Sequence, residues 1–183
     1  DRVMVIEVMG RDAGSIALHA GIAGGATAIL VPEVPFNIAE VAAIVSKRHD
    51  RGRYASLVVV AEGAKPIAGT LEVPEPQLDK YGREMHGSIS QVIAPELSRL
   101  TGFESRVVQL GHVQRGGTPT AYDRVLSTRF GLAAVDAVYA KAFGDMVVLN
   151  CGRIERVSMS ATRGKTRTID LTLFNDVAAT FFG

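Results

Sequence analysis

Apolar residues along this chain fall into short continuous runs, separated by longer stretches in which they recur at helical spacing. "RVMVIEVM" (Arg2 to Met9) is β-rich and almost unbroken in apolar residues, the pattern of a strand buried on both faces. "AGSIALHAGIAGG" follows, small and apolar at helical spacing, and its Gly24 and Gly25 form a natural stop. "AILVPE" predicts a second short strand. "NIAEVAAIVSKRHDRG" predicts a helix with Asn37 as N-cap and basic residues in the last turn, where they suit the helix dipole. "ASLVVVAEG" predicts a third buried strand. Strand–helix–strand–helix–strand at these lengths implies a parallel sheet with helical crossovers.

Residues 63 to 86 have a loop composition, with Pro66, Gly69, Pro74, Pro76 and Gly82. A helix is predicted over about 88 to 100, with Pro95 expected to kink it or to mark a later start. "SRVVQLG" predicts a fourth strand. "TAYDRVLSTRFGLAAVDAVYAKA" has a long helical pattern with Gly131 as its weak point. "DMVVLN" and "GRIERVSM" predict a small hairpin turning near Cys151 and Gly152. The tail, "DLTLFNDVAATFFG", is expected to end in a short helix. No internal repeat or low-complexity tract interrupts the series. The fold class is α/β: a parallel sheet flanked by helices in three layers.

Composition narrows the function classes. The 183 residues suffice for one good-sized domain or one and a half small ones, and a hydrophobic fraction of 47% excludes a disordered chain. A formal net charge of +1 gives no global field toward nucleic acid or a membrane surface, so local arginine clusters matter more than the total. Cys151 is the only cysteine, which excludes an internal disulfide and a multi-cysteine metal site and suits a cytoplasmic setting. No apolar run approaches the roughly 18 to 20 residues that span a bilayer. The chain opens on Asp1, without methionine or a signal-peptide pattern, and so reads as a piece of something longer.

Ligands of open parallel sheets gather at the carboxyl ends of the strands. The first strand ends in "VMGRDAG", with Met9, Gly10 and Arg11; the third ends in "VAEG", with Glu62; the fourth ends in "LGHVQRGG", with His112 and Arg115. Each taken singly has an ordinary structural explanation: a solvated helix end, a loop acid, a hydrogen-bonded histidine, a basic turn. Together, three strands deliver two arginines, a histidine and a carboxylate to one edge. Arginine forks match phosphate oxygens and stay charged. The helix after Gly10 is expected to offer backbone N–H groups to the same anion, and the carboxylate can accept hydrogen bonds from sugar hydroxyls. The set describes a sugar-phosphate site rather than a metal site, and HExxH, GxSxG and Walker A sequences are all absent.

The segments "IEVMGRDAGSIALHAGIAGGATAILVPE", "VVVAEGA" and "LGHVQRGGTPTAYDRVLSTRFG" resemble the 6-phosphofructokinases, and the likeness runs over essentially the whole chain. It is strongest to the bacterial ATP-dependent kind with "AEGAKP" and a terminal "FFG". The resemblance implies transfer of the γ-phosphoryl group of ATP, with Mg2+, to the 1-hydroxyl of fructose 6-phosphate. By the same resemblance Met9, Gly10 and Arg11 belong to the sugar-phosphate and transition-state segment, with Arg11 stabilising charge on the transferring group. Glu62 matches the acid that binds sugar hydroxyls, and His112 and Arg115 match groups on the 6-phosphate. Arg2 and Arg106 match arginines that reach the site of a neighbouring subunit in a homo-oligomer, a dimer or a homotetramer. Arg51 and Arg53 match basic positions of an allosteric site for a nucleotide diphosphate or phosphoenolpyruvate, but Thr27 stands where many relatives carry an effector-sensing acid. Ser15 replaces a large aromatic residue, and "HGSIS" (His86 to Ser90) replaces a glycine-rich turn; neither is expected to touch the site.

The family's glycine-rich ATP loops, magnesium-binding acids and catalytic aspartate base have no counterpart in this sequence. The resemblance therefore implies the carboxyl-terminal, substrate-binding half of the fold. Residues 1–113 and 165–183 are expected to form the sugar-phosphate and effector domain, and 114–164 a segment belonging to the otherwise absent ATP-binding domain. ATP and Mg2+ would be bound mainly by that missing half, with no metal ligand in this chain, and the fragment alone would be inactive. A pyrophosphate-dependent enzyme of the same family and a non-catalytic sugar-phosphate-binding module are the alternatives. Neither nucleic acid nor membrane is an expected partner.

Overall fold

The continuous apolar runs form the interior strands of a parallel sheet, and the helical patterns cover its two faces. The computed structural model describes residues 2–74, 77–78, 84–85, 87–164 and 166–181. The chain divides into two units, Asp1–Arg115 with Thr166–Gly183, and Gly116–Lys165. The first unit runs β1 (Arg2–Val8), α1 (Ser15–Ala23), β2 (Ala28–Leu30), α2 (Ile38–Asp50) and β3 (Ala55–Ala61). A short antiparallel pair, β4 (Gln77–Leu78) and β5 (Glu84–Met85), precedes α3 (Ser90–Thr101) and β6 (Glu104–Gln109). The main sheet has the order β2-β3-β1-β6 and is parallel throughout.

Alternation along the strands divides the core between the two faces. Val3, Val5, Val58, Val60 and Leu30 meet α2 and α3 through Val41, Val45, Ile93 and Leu97. Val59, Ala61, Ile29 and Val31 point the other way, onto Leu18 of α1 and Phe174 of the tail. Successive strand residues face opposite sides of a sheet, so β2 and the stretch Leu57–Ala61 of β3 need apolar residues at every position, as their sequences have.

The start of α2 and the end of α3 follow local chemistry. The Asn37 side chain accepts the Ala39 N–H at 3.0 Å, and Lys47, Arg48 and His49 occupy the last turn of α2. Gly102 ends α3 in the left-handed region at φ 75°, its N–H bonded to the Ser98 carbonyl. Pro95 lies inside α3 and does not mark its start. The carbonyl it leaves without an intrahelical donor belongs to exposed Gln91, where water can serve instead. The tail returns over the second face as a helical segment wound in π geometry over Leu173–Ala178, burying Phe174 and Ala178.

The second unit holds α4 (Ala121–Tyr139), unbroken through Gly131, and the hairpin β7 (Asp145–Asn150) and β8 (Arg153–Ser158). Thr120 and Asp123 form a reciprocal capping box at the start of α4. The hairpin turns on Cys151 and Gly152 at φ 46° and 81°, a two-residue loop whose left-handed backbone matches the twist of the strands. None of this unit's described residues is buried. Among the described residues no helix is long and apolar enough to cross a membrane.

Candidate active site

Parallel register brings the ends of three strands side by side. Val8 of β1 pairs with Ala61 of β3, and Glu7 pairs with Gln109 of β6. Met9, Gly10 and Arg11 therefore leave the sheet beside Glu62 and Gly63 on one flank. On the other flank is a 3₁₀ turn over Gly111–Arg115, which carries His112 and Arg115. Arg11, His112 and Arg115 are all exposed, and Glu62 is half-buried.

Side chains from the flanking loops interlock with the central one. Glu62 Oε1 accepts two successive backbone N–H groups, from Gly10 at 3.2 Å and from Arg11 at 2.8 Å. Gln114 Oε1 accepts the preceding one, from Met9, at 3.2 Å. Glu62 N–H in turn donates to the Val8 carbonyl at 3.0 Å. Arg11 is held in the left-handed region at φ 50°, which is uncommon outside glycine. A Cβ on Gly63 would overlap the Arg11 carbonyl oxygen, so only glycine lets the β3 loop come this close. The loops that carry Met9, Gly10, Arg11, Glu62, His112 and Arg115 thus form one connected edge.

Several of the backbone N–H groups that follow β1 are taken within the protein. Those of Gly10 and Arg11 go to Glu62, that of Ala13 to the Gly10 carbonyl, and that of Gly14 to both oxygens of Glu33 at 3.1 and 3.0 Å. The Glu33 carboxylate thus holds the N–H of the N-cap residue of α1.

Arg2 and Arg106 lie toward the opposite, amino end of the sheet. Met4 pairs with Arg106 and Arg2 with Glu104. Arg2 sits six strand residues before Val8, about 20 Å away at the usual rise per residue. Both guanidinium groups hold Glu104, Arg106 Nη2 at 2.7 Å and Arg2 Nε at 3.2 Å. Arg106, and behind it Arg2, holds the Glu104 carboxyl below its ordinary pKa. Arg51 and Arg53 are exposed in the turn between α2 and β3. Thr27 is 1% exposed and accepts the Leu57 N–H at 3.3 Å, an interior strut between strands.

Three site-supporting residues escaped the sequence reading. Glu7 is buried, and its carboxyl group accepts from Ser88 Oγ at 2.7 Å, Ser90 N at 2.9 Å and Gln109 Nε2 at 3.1 Å. Its signal was available: one acid in an otherwise apolar buried strand must find partners. Because Glu7 also accepts Leu110 N–H through its own carbonyl, the "HGSIS" turn is joined to the His112 loop rather than remote from it. His86 lies outside the described residues. Glu33 bonds Gly14 and Ile169, and Gln114 bonds Met9; no local pattern announces either.

Among the described residues no three His, Cys, Asp or Glu side chains assemble in a way that could hold a metal ion.

The model of the phosphofructokinase family matches residues 1–138. The chain belongs to the phosphofructokinase family. It is 50% identical over its whole length to a pyrophosphate–fructose 6-phosphate 1-phosphotransferase of Amycolatopsis methanolica, of which it covers 53%. It is 48% identical over its whole length to an ATP-dependent 6-phosphofructokinase of Mycobacterium bovis, again covering 53%. The chain thus spans about half the length of these curated relatives. Among solved structures, the phosphofructokinase of Saccharomyces cerevisiae superposes on 98% of the chain with a TM-score of 0.70 and 34% identity, the match taking 21% of that longer chain. The three-layer fold is therefore a phosphofructokinase fold.

Proposed function

We propose that this chain supplies the sugar-phosphate side of an enzyme that phosphorylates fructose 6-phosphate at its 1-hydroxyl, with ATP as donor. The interlocked strand-end edge is the observation that carries the proposal. It holds an anion-binding pair, His112 and Arg115, and a second arginine, Arg11, on one connected set of loops. His112 and Arg115 bind the 6-phosphate. Glu62, with Oε1 taken by the Gly10 and Arg11 N–H groups, turns Oε2 to a sugar hydroxyl. Arg11 stabilises charge on the transferring phosphoryl group. The left-handed backbone at Arg11 supports that role, because such strain persists where the surroundings over-determine it. The half of the relatives' length beyond this chain would supply the donor site, the magnesium ligands and the base. The amino-end placement of Arg2 and Arg106 supports a homo-oligomer in which they complete the site of a neighbouring copy. Residues 114–164 are assigned to the donor-binding side, and Arg51 and Arg53 to an effector site.

Pyrophosphate as donor is the second reading, favoured by the Amycolatopsis relative's name and its 50% identity. An assay of the full-length protein with fructose 6-phosphate decides between them: transfer from ATP supports the first and transfer from pyrophosphate the second. Transfer from neither, with sugar phosphate still bound, would make the chain part of a binding module. In the same protein Arg11→Ala should lower kcat by about a hundredfold, the scale of one lost transition-state donor. Arg115→Ala should chiefly raise KM, by about ten- to a hundredfold. Wild-type kinetics in both variants would refute the site.

A further inference from the structure

The turn after β6 carries one residue to which the sugar-phosphate reading gives no role. Gln114 stands between His112 and Arg115, half-buried, and its amide is bonded at both ends. Nε2 donates to the Gly111 carbonyl at 2.9 Å, and Oε1 accepts the Met9 N–H at 3.2 Å. The two bonds fix the amide's orientation, because only nitrogen can donate to a carbonyl and only oxygen can accept from an N–H. An aspartate or serine would be too short for both, and a glutamate has no donor once ionised.

Met9, Gly10 and Arg11 are consecutive, and their three N–H groups are taken by side chains on either flank. Glu62, from the β3 side, holds Gly10 and Arg11; Gln114, from the β6 side, holds Met9. Beyond the strand ladder, Gln114 ties the Arg11 loop to the turn carrying His112 and Arg115. We propose that Gln114 is a positioning residue that sets the spacing between the phosphate-binding cations and the loop carrying Arg11. It acts through Met9 and Gly111 and need not touch the substrate. The inference rests on the sugar-phosphate reading above.

The experiment uses the full-length protein, fructose 6-phosphate and whichever donor it accepts. Misplacing the reacting end relative to the bound phosphate affects both binding and turnover. Gln114→Ala should therefore raise KM and lower kcat, each by about tenfold. Gln114→Glu keeps the acceptor toward Met9 but sets a carboxylate oxygen against the Gly111 carbonyl, and protonation restores a donor there. Its kcat/KM, taken at each pH as a ratio to the wild type, should climb as pH is lowered toward about 5. Thermal melts of each variant accompany the kinetics. Wild-type kcat and KM in Gln114→Ala would overturn the proposal. So would a loss of activity that tracks a lowered Tm and shows no recovery of Gln114→Glu in acid. Arg11→Ala and Arg115→Ala run alongside: if they respond and Gln114→Ala does not, only the positioning role fails. If neither arginine variant responds, the site reading and this inference fall together.

Discussion

Gly63 shows how much of the site rests on one missing side chain. Its backbone lies against the Arg11 carbonyl, where a Cβ would overlap the oxygen, while Glu62 beside it holds the Arg11 N–H at 2.8 Å. The peptide groups around Arg11 are thus gripped from both sides, and this holds Arg11 in its left-handed conformation. Gly63→Ala must push the two loops apart. It should cost about 1–3 kcal/mol, the range for forcing extra atoms into a packed site. It should also lower kcat more than it raises KM, since Arg11 moves and the phosphate-binding turn does not. Urea unfolding and steady-state kinetics of the full-length protein check both. An unchanged kcat in a folded Gly63→Ala variant would show that Arg11 tolerates displacement. The sequence placed Arg11 and Glu62 at one edge of the sheet, because parallel strands all end on the same edge; that β1 and β3 are neighbours comes from the structure. The sequence could not show that Glu62 binds backbone as well as presenting a carboxylate, since that contact joins residues 51 apart through the shapes of two loops.

The helices of the first unit differ in where their caps come from, and this decided which of them the sequence announced. Asn37 caps α2 from the adjacent position, a local signal that predicts the observed start. The residue at the N-cap of α3 is Ile89, which has no polar side chain to offer. The Glu7 carboxyl of β1, 83 residues away, accepts the Ser90 N–H instead. Glu33 does the same for α1 at Gly14. Alternation explains why Glu7 is the residue that reaches α3: it shares the face of Val3 and Val5, which pack on that helix. Such tertiary caps leave no mark in a local window, which is why the start of α3 was expected two residues early. Glu7→Ala would remove the acceptor of the Ser88 and Ser90 hydroxyls, the Ser90 N–H and the Gln109 amide. It should destabilise the protein by about 3 kcal/mol or more, with several bonds to one carboxyl lost together. Amide exchange at Ser90 should accelerate beyond what the global loss explains. Glu7→Gln, which keeps an acceptor of the same size, should cost less. Equal losses in the two variants would show that the site needs the carboxyl group's full set of acceptors.

The two units stand in different physical situations. The first encloses two apolar layers around its sheet, with Leu18, Ile93 and Leu97 wholly buried. The second, Gly116–Lys165, buries none of its described residues, and α4 exposes Leu132 by 65%, Val135 by 54% and Val138 by 60%, with Phe143 just beyond at 78%. Half-buried Leu126, Phe130, Ala133 and Ala137 recur at helical spacing along a separate stripe, so α4 is apolar around more of its circumference than one covered face requires. A segment of this size cannot hold itself together by burial alone, and apolar surface on this scale marks an interface. The chain spans 53% of its curated relatives' length, so those relatives carry further sequence beyond the part matched here. The 183-residue chain alone should therefore self-associate at micromolar concentration and should transfer no phosphoryl group from either donor. Light scattering during size-exclusion chromatography reads the first and a coupled assay the second. Replacing Leu132, Val135 and Val138 by lysine should return the chain to a monomer while leaving the first unit's unfolding transition in place, because none of the three belongs to its core. A monodisperse wild-type chain across that concentration range would mean that α4 finds its partner within the 183 residues, and phosphoryl transfer by the chain alone would place the donor site there too.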